Sequence, residues 1–400
     1  MADMRSSTVV IGAGAAGLAV SRALADAAVD HVVLERRGVA DTWRNQRWDS
    51  FRLNTPGWMN TMLGPVEPHS FSHRDEVVRL LEKQAVGLPV QTGVPVTSLD
   101  RDGPDFVVRT PDGQIRAATV VVASGGQNVA LRPDLAAALT SRVTQLDAAD
   151  YRSADQLPDG AVLVVGGAQS GSQIAEDLAV AGREVYFSTS RVGRYPWIYR
   201  GRELLAWLDD VGFWDQRVSD LAHPEDARAA FPVVASGGRD LDLRILAGLG
   251  VQLLGRLERA DGEALSFAGS VAEHAAYADQ VAARLQGMAD DLIASRAIDA
   301  REPEPADLSP VPEARIDALD LGAAGISAVI WCTGFTGDLS WVRLPIGLDR
   351  GWPQHDGCAS PIPGLWYAGF VWLTRRRSGI LHGFPLDAAE IAHGVVRHLA

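Results

Sequence analysis

The chain has 400 residues, with 37 Lys+Arg against 50 Asp+Glu and a formal net charge of −13. A chain of that length forms about two or three domains, and an acidic balance argues against nucleic acid or an anionic membrane surface as the partner, since both need a basic footprint. Lysine occurs once, at Lys83, outside any GxxxxGK[ST] loop, and cysteine only at Cys332 and Cys358, with no CxxC pair; a P-loop nucleotidase, a dithiol reductase motif and a Cys zinc site are excluded, and a Schiff-base enzyme is disfavoured.

Thr8–Ile11 reads as a short buried strand, and Gly12-Ala13-Gly14-Ala15-Ala16-Gly17 follows it directly. Leu18 to Ala27 then reads as an Ala-rich helix, and His31–Glu35 as a second strand ending in an acid. The glycines at 12, 14 and 17 break the apolar run from Val9 to Val20, which therefore reads as a nucleotide turn and not as a signal peptide. Phe106–Arg109 and Gln114–Arg116 flank Pro111-Asp112-Gly113, a hairpin signature, and Thr119–Ala123 reads as a strand ending at Ser124-Gly125-Gly126. The first unit then recurs: strand Ala161–Val165, turn Gly166-Gly167-Ala168-Gln169-Ser170-Gly171, helix Ser172–Ala181, strand Glu184–Phe187. A Trp-containing stretch runs from Arg194 to Gly255. Val271 to Ile298 has the spacing of an amphipathic helix, with Val271, Ala275, Ala278, Val281, Leu285, Met288 and Leu292 on one face. Glu302 through Pro312 has the composition of a surface linker, Ile326–Trp331 reads as a strand, and Leu365–Gly369 and a helix from about Asp387 close the chain. No stretch reaches the roughly 18 apolar residues of a membrane span. With so few cysteines, a reducing cytoplasm is the expected compartment.

Gly12, Gly14 and Gly17 have the GxGxxG spacing: the first permits the tight turn, the second lets the backbone approach a pyrophosphate, the third lets helix and strand pack closely. The helix N-terminus then holds the phosphates. Glu35 lies where a carboxylate accepts from an adenosine ribose, which fits FAD or NAD and repels a 2′-phosphate. In the second copy Ala168 replaces the middle glycine, and Ser188-Thr189-Ser190-Arg191 replaces the acid. Hydroxyls with Arg191, and Arg194 as a second candidate, suit the 2′-phosphate of NADPH, because a guanidinium forks onto phosphate. Two sites of opposite preference imply hydride transfer from NADPH to FAD.

At these residues the chain resembles the class B flavoprotein monooxygenases, the group of flavin-containing monooxygenases and Baeyer–Villiger enzymes. The resemblance rests on the two turns, on Trp43-Arg44 followed by Trp48–Pro56, on Ser170 in the second turn, and on Trp331-Cys332-Thr333-Gly334-Phe335, similar to the family's ATG motif. A short bacterial branch looks closest. The resemblance implies an α/β fold with two Rossmann-like domains: a discontinuous FAD domain, 1–155 and 322–400, and an inserted NADPH domain, 156–321, with a helical insertion. It implies reduction of FAD by NADPH, O2 addition at flavin C4a, and oxygenation of a small organic substrate; a homodimer is compatible with it. Asn54, in Leu53-Asn54-Thr55-Pro56, matches the family's asparagine beside the reactive edge of the flavin and is the expected catalytic residue. Expected cofactor contacts are Gly12, Gly14, Ala15, Ala16, Gly17, Glu35, Arg36, Trp43, Arg44, Val96, Ser124 and Gly125 in the first part of the chain. Gly166, Ala168, Gln169, Ser170, Gly171, Thr189, Arg191 and Arg194 serve the second turn, and Thr333, Gly334 and Asp387 complete the set. Asp387 is expected just before the terminal helix.

The family fingerprint FxGxxxH, placed ahead of Tyr151, is absent: Ser141, Val143 and Asp147 stand where Phe, Gly and His are expected. Two other readings therefore stay open, a flavin oxidase or dehydrogenase that no longer uses NADPH and a non-catalytic nucleotide-binding protein. No metal is expected. His69 and His73, four apart, read as loop residues, and Arg375-Arg376-Arg377 reads as a solvated turn.

Overall fold

Two sheets, one mixed and one parallel, grow from the two glycine turns. A computed structural model describes residues 4–228, 231–234, 237–312, 316–349 and 351–400. In the first sheet the strands run in the order Val90–Thr92, His31–Glu35, Met4–Ile11, Gly113–Val122. Val9, Val10, Val120, Val121 and Val122 are fully buried, as expected of parallel strands covered on both faces. The last strand is long enough to serve two partners on its far edge. Its first half pairs with Asp105–Thr110 across the two-residue turn Pro111-Asp112, and its second half pairs in parallel with Leu365–Tyr367. The hairpin and the strand after it, separate in the sequence pattern, are thus one element. Helix Ala15–Asp26 buries Leu18, Val20 and Leu24 and packs against the closing helix Phe384–Leu399.

The second sheet is parallel throughout, in the order Gln252–Leu254, Val185–Ser188, Ala161–Val165, Ile326–Trp331, Thr144–Asp147. It takes strands from both sides of the segment 156–321 read for the second domain. The reason is local: Ala161–Val165 is buried throughout, so its backbone N–H and C=O groups need a partner strand on each edge, and Ile326–Trp331 supplies one. Helix Val271–Arg296 has the buried face that its spacing predicts and is capped by Ser270, whose side chain accepts from Glu273 N. It packs with Leu204–Asp210 into a separate apolar cluster around Trp207, Trp214 and Leu285. Residues 302–312 hold no helix or strand, and residues 229–230 and 235–236 of the Arg194–Gly255 stretch lie outside the described residues. Among the described residues no helix is long and apolar enough to cross a membrane.

The units repeat down to single hydrogen bonds. Gly12 N donates to Leu34 O as Gly166 N donates to Ser188 O, and Ala123 N to Ile11 O as Cys332 N to Val165 O. Tyr151 joins them. It is fully buried, and its hydroxyl donates to Asp177 Oδ2 at 2.6 Å on the second helix, Gln169–Val180. Asp177 Oδ1 accepts from Ser50 of the first unit. Burial and the Asp177 charge hold the Tyr151 hydroxyl above its ordinary pKa, so it stays a donor. Tyr151→Phe should lower stability by about 1.5–3 kcal/mol, the worth of a hydrogen bond to a charged group, read as a lower urea midpoint at unchanged slope.

Candidate active site

Each turn is built around a carbonyl oxygen. A Cβ on Gly17 would lie 1.9 Å from Gly12 O, and one on Gly171 would lie 1.8 Å from Gly166 O. Gly12 and Gly166 adopt φ of +112° and +118°, and a Cβ there would meet Ala123 O at 2.4 Å and Cys332 O at 2.3 Å. Gly14 differs: a Cβ there meets nothing within 4 Å. It caps a helix that has no side-chain cap hydrogen bond and no acid in its first turn, so no side chain of its own first turn serves the leading amides. Ala168 holds the matching place in the second turn, in extended backbone that tolerates a side chain. The methyl group occupies room that is empty beside Gly14.

Glu35 is buried, with Oε2 accepting from Ala13 N at 2.8 Å and Oε1 from Arg37 N at 3.0 Å. Two backbone donors fix the carboxylate at the mouth of the first turn, with lone pairs left for hydroxyl donors. Beyond the turn lies a group of enclosed polar atoms without partners: Ser124 Oγ, Gln46 Oε1 and Thr336 Oγ1. Asn128 gathers them. It donates through Nδ2 to Ser124 O and through N to Thr336 O, and its carbonyl accepts from Gln46 Nε2. Native interiors rarely leave such atoms bare, and a row of them beside a glycine turn has the chemistry of a site cut for a polar ligand. Trp43 is half-buried against Phe51, with the Arg47 guanidinium 5.5 Å over its ring. Burial and the neighbouring Arg152 lower the pKa of Arg47 to about 10. Val96 packs on the core. Arg36 is exposed, and Arg44 pairs with Glu82 at the surface at 2.6 Å. Gly125 borders this group at φ +90°.

Thr333 and Gly334 follow a strand of the second sheet, so their segment starts beside Gly166, with Thr333 Oγ1 donating to Leu131 O at 2.5 Å. Phe335–Thr336 then crosses to pair with Val129–Ala130 near Asn128. Ser190 Oγ accepts from Gly167 N at 3.4 Å, and Ser190, Gly193, Arg194 and Asp242 line a small cleft there. Arg191 is exposed and stacks 4.6 Å over Tyr277, with no carboxylate partner among the described residues. Arg194 and Arg244 share Asp279, and Asp242 and Asp307 also lie close to Arg244. Ser170 is half-buried in the first turn of the helix. Two expected contacts point elsewhere. Thr189 is buried and bonded to Leu254 O and His274, and Gln169 spends both ends of its amide on the backbone of Val234.

Asn54 is half-buried, and its Oδ1 accepts from Gln173 Nε2 at 3.0 Å. Sequence reasoning passed over Gln173, Gln46 and Arg47; a glutamine within the apolar face of the second helix was the available signal. Asp387 is inside the terminal helix, in its first turn, and Gly383 is the N-cap, because Pro385 starts the helix earlier than Asp387. Its Oδ1 accepts from Thr374 and Ser378, and its Oδ2 is enclosed without a partner. Arg375–Arg377 is not solvated: Arg375 and Arg377 pair with Asp215, and Arg376 is stacked between Phe213 and Trp372. His69 Nδ1 pairs with Glu203 at 2.6 Å, and His73 caps helix Arg74–Ala85. Cys332 and Cys358 are both buried and in no disulfide.

Two glycine turns, each inside a parallel strand–helix–strand unit, give the chain the layout of a fold with two dinucleotide-binding units. A family model described as pyridine nucleotide-disulphide oxidoreductase matches residues 9–197. A CzcO-like uncharacterized oxidoreductase of Geobacillus kaustophilus is 28% identical over 98% of each chain. Rice indole-3-pyruvate monooxygenase YUCCA1 is 30% identical over 179 residues, 42% of this chain and 44% of that one. A flavin-containing monooxygenase from Stenotrophomonas maltophilia has the same fold, with a TM-score of 0.66 and 20% identity over 99% of this chain and 100% of that one. The chain thus shares the fold of that flavin-containing monooxygenase and is similar over nearly its whole length to a protein named as an oxidoreductase.

The contrast between glycines gives a direct test. Gly171→Ala should cost at least about 1–3 kcal/mol through forced overpacking, whereas Gly14→Ala should leave the unfolding free energy of the ligand-free protein, read by urea titration, within about 0.5 kcal/mol of wild type. The Asp387 carboxyl gives another. Burial raises its pKa to about 6, above the roughly 3.9 of an unfolded chain. The fold therefore disfavours the ionised form, and stability is lost as pH climbs from about 4 through 6, by about 2–3 kcal/mol. Asp387→Asn, which keeps both accepted hydrogen bonds, should melt above wild type at pH 8 and level with it at pH 4.

Proposed function

We propose that the protein is an NADPH-dependent FAD monooxygenase that uses O2 to oxygenate a small organic substrate, by N-, S- or C-hydroxylation or by Baeyer–Villiger insertion. The observation that carries this reading is the opposite chemistry of the two turns: a fixed carboxylate, Glu35, at the first, and an uncommitted guanidinium, Arg191, at the second. FAD fits the first. Its pyrophosphate would sit on the amides of Ala15 and Ala16 in the open space at Gly14, and an adenosine hydroxyl would donate to Glu35. Ser124, Gln46 and Thr336 would find their missing partners along the rest of the molecule. NADPH fits the second, where Ser190 and Arg191 favour a 2′-phosphate. When bound, the flavin accepts hydride from NADPH and activates O2.

The protein's own part is to bind, orient and withhold protons. Asn54 offers an amide N–H to oxygen at the flavin; a neutral amide donates a hydrogen bond without releasing a proton, so it does not promote loss of peroxide. The buried Tyr151, held as a donor, and the Ser50–Asp177 bond keep the loop of Asn54 against the second helix. The domain assignment follows from the same reading: FAD on 1–155 and 322–400, NADPH on 156–321, with strands 144–147 and 326–331 lent to the second sheet.

Ala168 favours one alternative, a flavin oxidase that does not accept NADPH. Anaerobic mixing of the FAD-loaded protein with NADPH separates the two. The monooxygenase reading expects the yellow flavin to bleach; flavin that stays oxidised leaves the oxidase. Arg191→Ala should raise the KM for NADPH roughly 10–100-fold, the loss of a hydrogen bond to a charged group at about 1.5–3 kcal/mol, and should leave the KM for NADH unchanged.

A further inference from the structure

Among the described residues three enclosed polar atoms lie outside the group assigned to FAD: Asp387 Oδ2, Glu176 Oε1, which faces Arg239, and Gln173 Oε1. Gln173 is 4% exposed and sits in helix Gln169–Val180 of the second unit. Its Nε2 is given to Asn54 Oδ1, while its own carbonyl goes without a donor. A buried carbonyl left bare is a cost that an apolar residue of similar size would avoid. The glutamine is therefore not explained by packing, and its one described bond goes to Asn54.

That bond decides which end of Asn54 is available. A side-chain amide has a donor end and an acceptor end, and holding the acceptor turns the donor outward. The backbone around Asn54 is already fixed. Asn60 donates to Thr55 O and Pro56 O, both at 2.9 Å, and accepts from Thr55 Oγ1 at 2.9 Å. Ser50, four residues upstream, is tied to Asp177 on the same helix as Gln173. Rotation of the Asn54 amide is the freedom that remains, and the bond from Gln173 Nε2 to Asn54 Oδ1 sets it with its N–H end turned outward. We propose that Gln173 is a positioning residue that presents Asn54 to the first nucleotide site as a hydrogen-bond donor. Only the catalytic consequence of this rests on the reading of Asn54 given above; the orientation itself does not.

The test is direct because asparagine occurs only at positions 45, 54, 60 and 128. Labelling with [15N]asparagine gives four side-chain amides, and loss of one in Asn54→Ser identifies that of Asn54. Gln173→Glu replaces the donor by a carboxylate that only accepts, so the Asn54 amide turns round and its protons shift downfield. Gln173→Met removes the bond without adding a charge, and the Asn54 protons should move towards solvent-exposed positions with faster exchange. The methionine variant should melt no lower than wild type. In the FAD-loaded enzyme both variants should release several-fold more hydrogen peroxide per NADPH consumed, with the KM for NADPH unchanged. Asn54 signals that superimpose on wild type in both variants overturn the proposal, whatever the enzyme's activity. Signals that move while the peroxide yield stays constant uphold the positioning and overturn the catalytic reading of Asn54.

Discussion

In each half of the molecule a carbonyl oxygen occupies the place where the side chain of a residue five positions later would begin. Gly12 O and Gly166 O lie within 2 Å of where a Cβ would stand on Gly17 and Gly171. The close approach pulls helix onto strand and points the helix N-terminus over the edge of the sheet. The open space at Gly14, the position of Glu35 and the lie of the second helix follow from that contact. So does the placing of Asn54, since Gln173 reaches it from about one turn along the second helix.

Features governed by local backbone geometry were legible in the sequence. The glycine spacings, the strands before them and the helix from Val271 all depend on residues close in the chain, and they stand as read. Membership of a sheet is a different matter. Thr144–Asp147 and Ile326–Trp331 pair through backbone groups that every residue carries, so nothing in their side chains announced that they belong to the second sheet. Side-chain direction was equally hidden. Thr189 and Gln169 occupy positions that suit a nucleotide, yet Leu254, His274 and Val234, far off in the chain, had first claim on them. Asp387 was misplaced by a few residues because Pro385 begins the helix earlier than the acid suggested.

The acidic total also conceals how the positive charge is used. Almost all of it is arginine, and much of it is committed to joining segments. Arg375–Arg377 dock on Asp215, Gln216 and Phe213, and Arg194 and Arg244 converge on Asp279. A planar guanidinium can both stack and pair, which an ammonium cannot do as well. Arg191 stands out by contrast, since its stacking partner leaves its hydrogen-bonding face open.

The repeated hydrogen bonds behind the two turns bear on the order in which the molecule can be assembled. Gly166 leans on Cys332, and the first sheet is completed by Leu365–Tyr367 and the last helix. Neither half can close from its N-terminal portion alone, although domains generally fold as units from the N-terminus during synthesis. The second sheet waits for Ile326–Trp331, and the first, begun at Met4, waits longer still, for Leu365–Tyr367 and the last helix. The half that starts first is therefore the half that finishes last.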